Sequence, residues 1–111
     1  MNDELGTVFA ALADSTRRHM VQTLLRDGRT SVPALSAELP ITRQAIAKHL
    51  ATLQQAGLVE RLPGAGREVS YGLRGEALAQ ASAWLREADA LWERRLDRLK
   101  AAFQGGGEAP R

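Results

Sequence analysis

The predicted helix at residues 42–56 carries side chains that suit contact with a polyanion. Its polar face holds basic, amide and hydroxyl groups and no carboxylate, whereas a solvated helix face ordinarily mixes acids with bases. These side chains are Arg43, Gln44, Lys48, His49 and Thr52. Arginine and glutamine near the start of a helix can reach base edges in the major groove of DNA. The pattern favours DNA binding, and a soluble helix that lacks acids by chance is the alternative.

The ends of this helix are marked by residues that stop or cap helices. Pro40 ends the preceding element, and the Thr42 hydroxyl can accept a free backbone N–H of the first turn. Gly57 supplies the left-handed residue that commonly follows a helix. Apolar residues recur at helical spacing between these caps and predict the buried side, namely Ile46, Leu50 and Leu53.

The basic residues of the chain are concentrated around this helix. The 111 residues have a net charge of +2. Residues 15–67 hold eight basic and three acidic side chains, whereas residues 1–14 hold three acids and no base, and residues 68–111 hold seven of each. A local basic excess of this kind suits a polyanionic partner such as DNA.

Composition limits the other classes of protein that the chain can be. The absence of cysteine excludes disulfides and thiolate metal sites. No apolar run approaches the ~20 residues that span a bilayer, and the first residues lack signal-peptide features, so we expect a cytoplasmic protein without membrane contact. We also find no Gly-rich phosphate loop after a strand, no nucleophile with a nearby histidine and no paired carboxylates outside a salt-bridged helix face. These observations argue against an enzyme and against a cofactor.

The remaining pattern predicts a mainly α fold with a small β-hairpin, a winged helix-turn-helix in the order α-α-α-α-β-β-α. We expect helices at 3–13, from Asp14 or Ser15 to Asp27, and from Ser31, before the helix described above. Strands at 58–62 and 68–73 enclose a glycine-rich turn, so residues 63–68 would form the wing. A long helix at 75–103 completes one domain, 1–103, and residues 104–111 are expected to be a disordered tail.

Two of the predicted helices carry side chains that need interaction partners: arginines at the start of the second helix and an apolar stripe along the last one. Arg17 and Arg18 lie in the first turn of the second helix, where the helix dipole disfavours cations, so we expect compensation by a carboxylate or a phosphate, with an internal ion pair for one of them. The inward side of that helix is expected to be Met20, Val21, Leu24 and Leu25. The last helix has an apolar stripe of nearly thirty residues, which implies a partner helix, most simply from a second copy.

Four segments together resemble the ArsR/SmtB family of winged-helix bacterial repressors. They are residues 9–18 (FAALADSTRR), 39–50 (LPITRQAIAKHL), 53–59 (LQQAGLV) and 66–71 (GREVSY). The resemblance implies a homodimer, joined by its first and last helices, that reads double-stranded DNA at a palindromic operator. By position, the implied DNA-binding residues are Thr42, Arg43, Gln44, Lys48 and His49, with Arg67 on the wing. The implied interface residues, on helices 1–13 and 75–103, are Leu5, Val8, Leu78, Leu85, Trp92 and Leu99.

The sequence departs from the metal-sensing members of that family. It has no cysteine, and its only histidines are His19 and His49, so we expect no metal site. His19 is interpreted as a surface or packing residue, and His49 as a DNA contact or a helix-packing hydrogen bond. A small-molecule or protein inducer is left open. The alternative function is a winged-helix protein-interaction module that acts on another regulator.

Overall fold

The computed structural model describes residues 3–63 and 68–108, with the side chains of 3–63 and 68–104. Their elements are α1 (Glu4–Leu12), α2 (Ser15–Asp27), β1 (Arg29–Thr30), α3 (Val32–Glu38), α4 (Arg43–Gln55), β2 (Val59–Leu62), β3 (Ser70–Leu73) and α5 (Gly75–Glu108). The predicted fold class, mainly helical with a winged helix-turn-helix, is confirmed, and the five helices and the hairpin follow one another as predicted. One strand, β1, was not predicted, and it turns the expected hairpin into a three-stranded sheet.

Local capping explains where the helices begin and end. The side chains of Asp14, Ser31 and Thr42 each accept a hydrogen bond from a backbone N–H three residues later, which satisfies a free donor of the first turn. Gly28 and Gly57 follow α2 and α4 with φ of 84° and 80°. A residue with a Cβ rarely adopts this left-handed conformation, so glycine suits both positions.

The sheet has the strand order β1-β3-β2, and both pairings are antiparallel. Thr30 pairs with Tyr71 on one side of β3, while Arg61 pairs with Tyr71 on the other. Gly72 is buried in the central strand, where a Cβ would lie 2.7 Å from Cδ1 of Leu62. Glycine at this position therefore lets a β2 side chain pack closely over β3.

The described residues divide into two units, with the boundary between Ala81 and Ser82. In the first unit, α1 packs against α2 and α4, and α3 packs against α4. The inward faces of these helices and the start of β2 form one apolar core. Its fully enclosed side chains include Met20, Leu24, Leu35, Ile46, Leu50, Leu53, Leu58 and Val59. The predicted buried side of α4 is confirmed.

Two predictions about apolar side chains are wrong. Val8, expected at a dimer interface, is only 2% exposed, because α1 turns this residue toward α2 and α4. Leu25, expected inside with Leu24, is 61% exposed. Adjacent residues on a helix point about 100° apart, so the narrow buried stripe of α2 holds Leu24 and leaves Leu25 outside.

The second unit is helical and ends later than predicted. The backbone of α5 continues to Glu108, so residues 104–108 are helical rather than part of a disordered tail, and residues 109–111 lie outside the described residues. Residues 105–107 are glycines, which are weak helix formers, so sequence propensity does not predict this extension. Within the described part of the chain, no helix is both long and apolar enough to cross a membrane.

The carboxylate of Glu38 joins α3 to α2 through three side chains. Its Oε1 lies 3.0 Å from Nε2 of His19 and accepts a hydrogen bond from the Thr23 hydroxyl at 3.3 Å, while its Oε2 accepts from Nη2 of Arg26 at 3.4 Å. His19 therefore links α2 to α3 while its side chain stays 40% exposed, in agreement with a surface or packing residue. The hydrogen bond with His19 is the main cause that lowers the pKa of Glu38 below its ordinary value of 4.5, and the hydrogen bond from Thr23 and the positive charge of Arg26 lower it further, against the opposing effect of burial.

We expect Glu38→Gln to make the stability of the protein less sensitive to acid. A carboxyl whose pKa is lowered on folding stabilises the folded state above its unfolded pKa, and this stabilisation is lost as the pH falls through the folded pKa. The wild-type protein should therefore lose stability below about pH 4.5 more steeply than the variant. Urea unfolding at a series of pH values measures the difference. Parallel pH profiles for wild type and variant would contradict this role.

Candidate nucleic-acid interface

The helix-turn-helix consists of α3, a four-residue connection and α4. Leu39 ends α3 in an extended conformation with its N–H bonded to the carbonyl of Leu35, and Ile41 is half-buried against the core. Thr42 then caps α4, its hydroxyl accepting from the N–H of Ala45 at 3.1 Å. The short connection and the cap together fix the direction in which α4 leaves the core.

The outward face of α4 presents cations that form no ion pair with the part of the chain that the structure describes. Arg43, Gln44 and Lys48 are exposed, as is Thr42 at the cap. Among the described residues, the ion pairs are formed by other side chains, and neither Arg43 nor Lys48 takes part in one. The structure therefore brings four of the predicted DNA-binding residues together on one face, and their charge is available to an external anion.

Small side chains on the same face were missed by the sequence analysis. Ala47 and Ala51 are exposed and alternate with Gln44 and Lys48 along α4. Their spacing of four residues places them on the face of Arg43, and this spacing was visible in the sequence. A helix face with methyl groups between long polar side chains can approach a nucleic-acid groove closely, because nothing bulky stands between the backbone and the bases.

Two polar side chains at the edge of this face have partners within the protein. His49 is half-buried, and its Nδ1 lies 3.3 Å from Nη1 of Arg17 on α2. The hydroxyl of Thr52 donates to the carbonyl of Lys48 at 3.2 Å. Of the two interpretations of His49, the helix-packing hydrogen bond is therefore present in the structure, while contact with DNA stays a prediction.

The two arginines at the start of α2 bind the end of α1. Nε of Arg17 donates to the carbonyl of Ala11 at 2.7 Å, and Nη1 of Arg18 donates to the carbonyls of Leu12 and Ala13 at 2.8 and 3.0 Å. Carbonyls at a helix C-terminus lack partners in their own helix and carry partial negative charge, which favours cations there. These contacts, with the Asp14 carboxylate near Arg17, provide the compensation expected for the two charges.

Asp14 contributes to this arrangement in two ways. It caps α2 by accepting from the N–H of Arg17 at 3.0 Å, and its Oδ2 lies 3.9 Å from Nη1 of the same arginine. The predicted internal ion pair for one of the two arginines is thus present. The backbone hydrogen bond from Arg17 is the main cause that lowers the pKa of Asp14, with smaller contributions from the N–H of Thr16 and from nearby positive charge, against burial.

The base of the wing is attached to β1. Nη2 of Arg29 donates to the carbonyl of Pro63, where β2 has just ended, at 3.3 Å. This contact was not predicted, because Arg29 lies in the strand that the sequence pattern did not reveal. Arg67, the predicted DNA contact of the wing, lies outside the described residues, so its role stays a prediction.

The predicted interface residues differ in how much surface they offer. In the first unit, Leu5 and Leu78 are half-buried against the core. In the second unit, Leu85, Trp92 and Leu99 repeat every seven residues along α5 and are 52%, 54% and 51% exposed. Further exposed apolar side chains of this unit widen the stripe, namely Trp84, Leu91 and Phe103. Single exposed apolar residues are common on protein surfaces, but a continuous apolar stripe of this kind is typical of a surface that binds another protein.

The two histidines lie in different hydrogen-bonded pairs, one with Glu38 and the other with Arg17. In the part of the chain that the structure describes, no three His, Asp or Glu side chains are grouped so that they could hold a metal ion. The expectation that the protein needs no metal or cofactor stays a prediction.

Comparisons with known proteins agree with this architecture. Residues 12–61 match the model of a helix-turn-helix domain family. The HTH-type transcriptional regulator Rv2034 of Mycobacterium tuberculosis is 40% identical over 79% of this chain and 78% of its own. An ArsR-like transcriptional regulator from Rhodococcus sp. RHA1 is 43% identical, with a TM-score of 0.73 over 89% of this chain and 92% of its own.

A further solved structure is the homodimeric winged helix-turn-helix DNA-binding domain Mb0332 of Mycobacterium bovis. It is 25% identical to this chain, with a TM-score of 0.61 over 79% of this chain and 80% of its own. The matches to transcriptional regulators confirm the prediction of a regulator rather than an enzyme. Together with the observed fold and the exposed face of α4, they establish that this chain belongs to the ArsR family of winged helix-turn-helix transcriptional regulators.

Proposed function

We propose that this chain is a homodimeric repressor that reads a palindromic DNA operator. The observation that carries the proposal is the outward face of α4, where Arg43 and Lys48 are exposed without ion pairs among the described residues and no carboxylate lies between them. Such a face attracts phosphates and leaves donors free for base edges.

The side chains of this face have different roles in the proposal. Arginine forms a bidentate pair with guanine O6 and N7, and glutamine with adenine N6 and N7, so Arg43 and Gln44 are proposed to read bases. Lys48 and the cap residue Thr42 are proposed to contact phosphates, as is Arg67 on the wing. Ala47 and Ala51 let the helix enter the major groove deeply enough for both kinds of contact.

The homodimer is supported by the apolar stripe of the second unit. Leu85, Trp92 and Leu99 are each about half exposed, and burying them against a second copy removes apolar surface from water. The homodimeric Mb0332 domain is a relative with the same fold. In the proposed dimer, the two recognition helices (α4 of each copy) lie about one DNA turn apart, roughly 34–36 Å, which matches two half-sites of a palindrome. Occupation of a promoter by this dimer would block transcription sterically.

Arg43→Ala tests the contribution of the recognition helix to sequence choice. We expect it to weaken binding to the cognate duplex by about 1–3 kcal/mol, because a bidentate base contact is lost, and to change binding to a scrambled duplex much less. The cognate duplex is the one that wild-type protein enriches from a random-sequence pool. Fluorescence anisotropy with both duplexes, at several salt concentrations, measures the difference.

Arg94→Ala is the matched control, since it removes an exposed arginine of α5 that has no ion pair among the described residues. The two variants change the net charge equally, so a general effect of charge would weaken both. Unchanged discrimination by the Arg43 variant would contradict a base contact. Failure of the wild-type chain to enrich any duplex would favour the alternative of a protein-interaction module.

A further inference from the structure

The side chain of Arg17 connects the end of α1 to the recognition helix. Its Nε and Nη2 donate to the carbonyls of Ala11 and Ala10 at 2.7 and 3.3 Å, and its Nη1 lies 3.3 Å from Nδ1 of His49. The Asp14 carboxylate lies 3.9 Å from the same Nη1. The Arg17 side chain is only 18% exposed. It is thus held on three sides and presents one N–H group to the imidazole in a defined position.

This arrangement determines which nitrogen of His49 carries the proton. A guanidinium group has donors and no acceptor, so the hydrogen bond requires Nδ1 of His49 to accept. An accepting Nδ1 has no proton, and the neutral ring then carries its proton on Nε2. Within the described residues, the structure gives Nε2 of His49 no protein partner. This N–H group is therefore left as a donor that no described protein group accepts from.

We propose that Arg17 is a positioning residue that fixes the tautomer of His49, so that the recognition helix offers DNA a donor and no acceptor at this position. The proposal rests on the proposed function. The partner on DNA must be a hydrogen-bond acceptor: a phosphate oxygen, or purine N7, guanine O6 or thymine O4 in the major groove. The amino groups of cytosine and adenine do not satisfy it. The sequence pattern indicated a DNA contact or a helix-packing hydrogen bond for His49, and it did not specify which ring nitrogen would donate.

The first experiment observes the tautomer without DNA. Long-range ¹H–¹⁵N correlation spectra of neutral imidazole rings distinguish the two tautomers. We expect His49 to show the Nε2–H form, and Arg17→Met to shift it toward a mixture while His19 stays unchanged as an internal reference. An Nδ1–H form in the wild-type protein, or no change in the folded Arg17 variant, would overturn the proposal.

The second experiment keeps Arg17 intact, so it does not depend on the folding of that variant. The amide of asparagine can place an acceptor near the position of Nδ1 but no donor near Nε2, whereas glutamine can place a donor near Nε2. We expect His49→Asn to weaken binding to the cognate duplex about three- to tenfold, as for the loss of one hydrogen bond, and His49→Gln to retain most of the affinity. Equal losses in both variants, or wild-type affinity in His49→Asn, would overturn the proposal.

Modified duplexes identify the acceptor. Single 7-deazapurine substitutions remove N7, 2-aminopurine in place of guanine removes O6, 4-thiothymine replaces O4, and methylphosphonate linkages remove charged phosphate oxygens. One of these modifications should abolish the difference in affinity between wild type and His49→Asn. If the two proteins still differ in affinity for every modified duplex, the proposal is wrong. If wild-type protein does not prefer its selected duplex to a scrambled one, the proposed function is wrong. The tautomer measurement is made without DNA, so its result does not depend on that outcome.

Discussion

Leu50→Ala is expected to lower the free energy of unfolding by about 2–5 kcal/mol, the loss typical of a large-to-small change in a packed core. Leu50 has no exposed surface and lies on the inner side of the recognition helix, among Ile46, Leu53 and the apolar faces of the neighbouring helices. Removing its terminal carbons leaves a cavity that the close-packed surroundings fill only in part. Urea unfolding, followed by circular dichroism, measures the change.

Leu25→Ala provides the matched control for this prediction. It is the same chemical change in a neighbouring helix, but Leu25 is 61% exposed, so we expect an effect within about 0.5 kcal/mol. Losses of similar size in the two variants would mean that burial does not distinguish them, contrary to the structure. A small loss for Leu50→Ala alone would show that the recognition helix does not depend on this contact with the core.

Trp92→Glu is expected to dissociate the proposed dimer and to weaken operator binding about a hundredfold or more. Trp92 is 54% exposed and lies in the apolar stripe of α5, between Leu85 and Leu99. A carboxylate there would have to be buried without a partner on dimer formation, which is strongly unfavourable. A monomer binds one half-site and loses the gain in effective concentration that a second, tethered recognition helix provides.

Ala90→Glu introduces the same charge on the opposite side of the same helix. Ala90 is exposed and two residues before Trp92, about 200° away around α5, so its variant should remain dimeric. Light scattering over a range of protein concentrations measures the mass, and gel shifts with whole and half operators measure binding. A dimeric Trp92→Glu variant, or a wild-type chain that is monomeric at the concentrations used for DNA binding, would contradict the proposed interface.

The ends of the helices in the first unit and the buried face of the recognition helix could be predicted from the sequence. The caps Asp14, Ser31 and Thr42 act on backbone groups three residues away, and Gly28 and Gly57 act on their own φ. Interactions of this range lie inside a short window of sequence, so residue types and spacing are sufficient to predict them. The exposed cations of α4 follow from the same periodicity, because the core occupies the other side of the helix.

Other features depend on which elements meet in space. β1 has two residues and no alternating pattern of its own, and it exists as a strand because Arg29 and Thr30 pair with β3, more than forty residues later in the chain. Val8 was expected on a dimer surface, because periodicity identifies the apolar face of a helix but not the element that packs against that face. Packing of α1 against α2 and α4 places it in the core instead.

Thus the sequence by itself determined the order of the helices, the helix-turn-helix and the cationic face of α4, because each follows from interactions between near neighbours and from the apolar period. Only the tertiary structure decided the third strand, the burial of Val8 and the partner of His49. Arg17 and His49 are 32 residues apart, and a hydrogen bond between them requires α1, α2 and α4 to be packed together first. A local sequence pattern contains no information on this hydrogen bond, because the hydrogen bond depends on the relative positions of three helices.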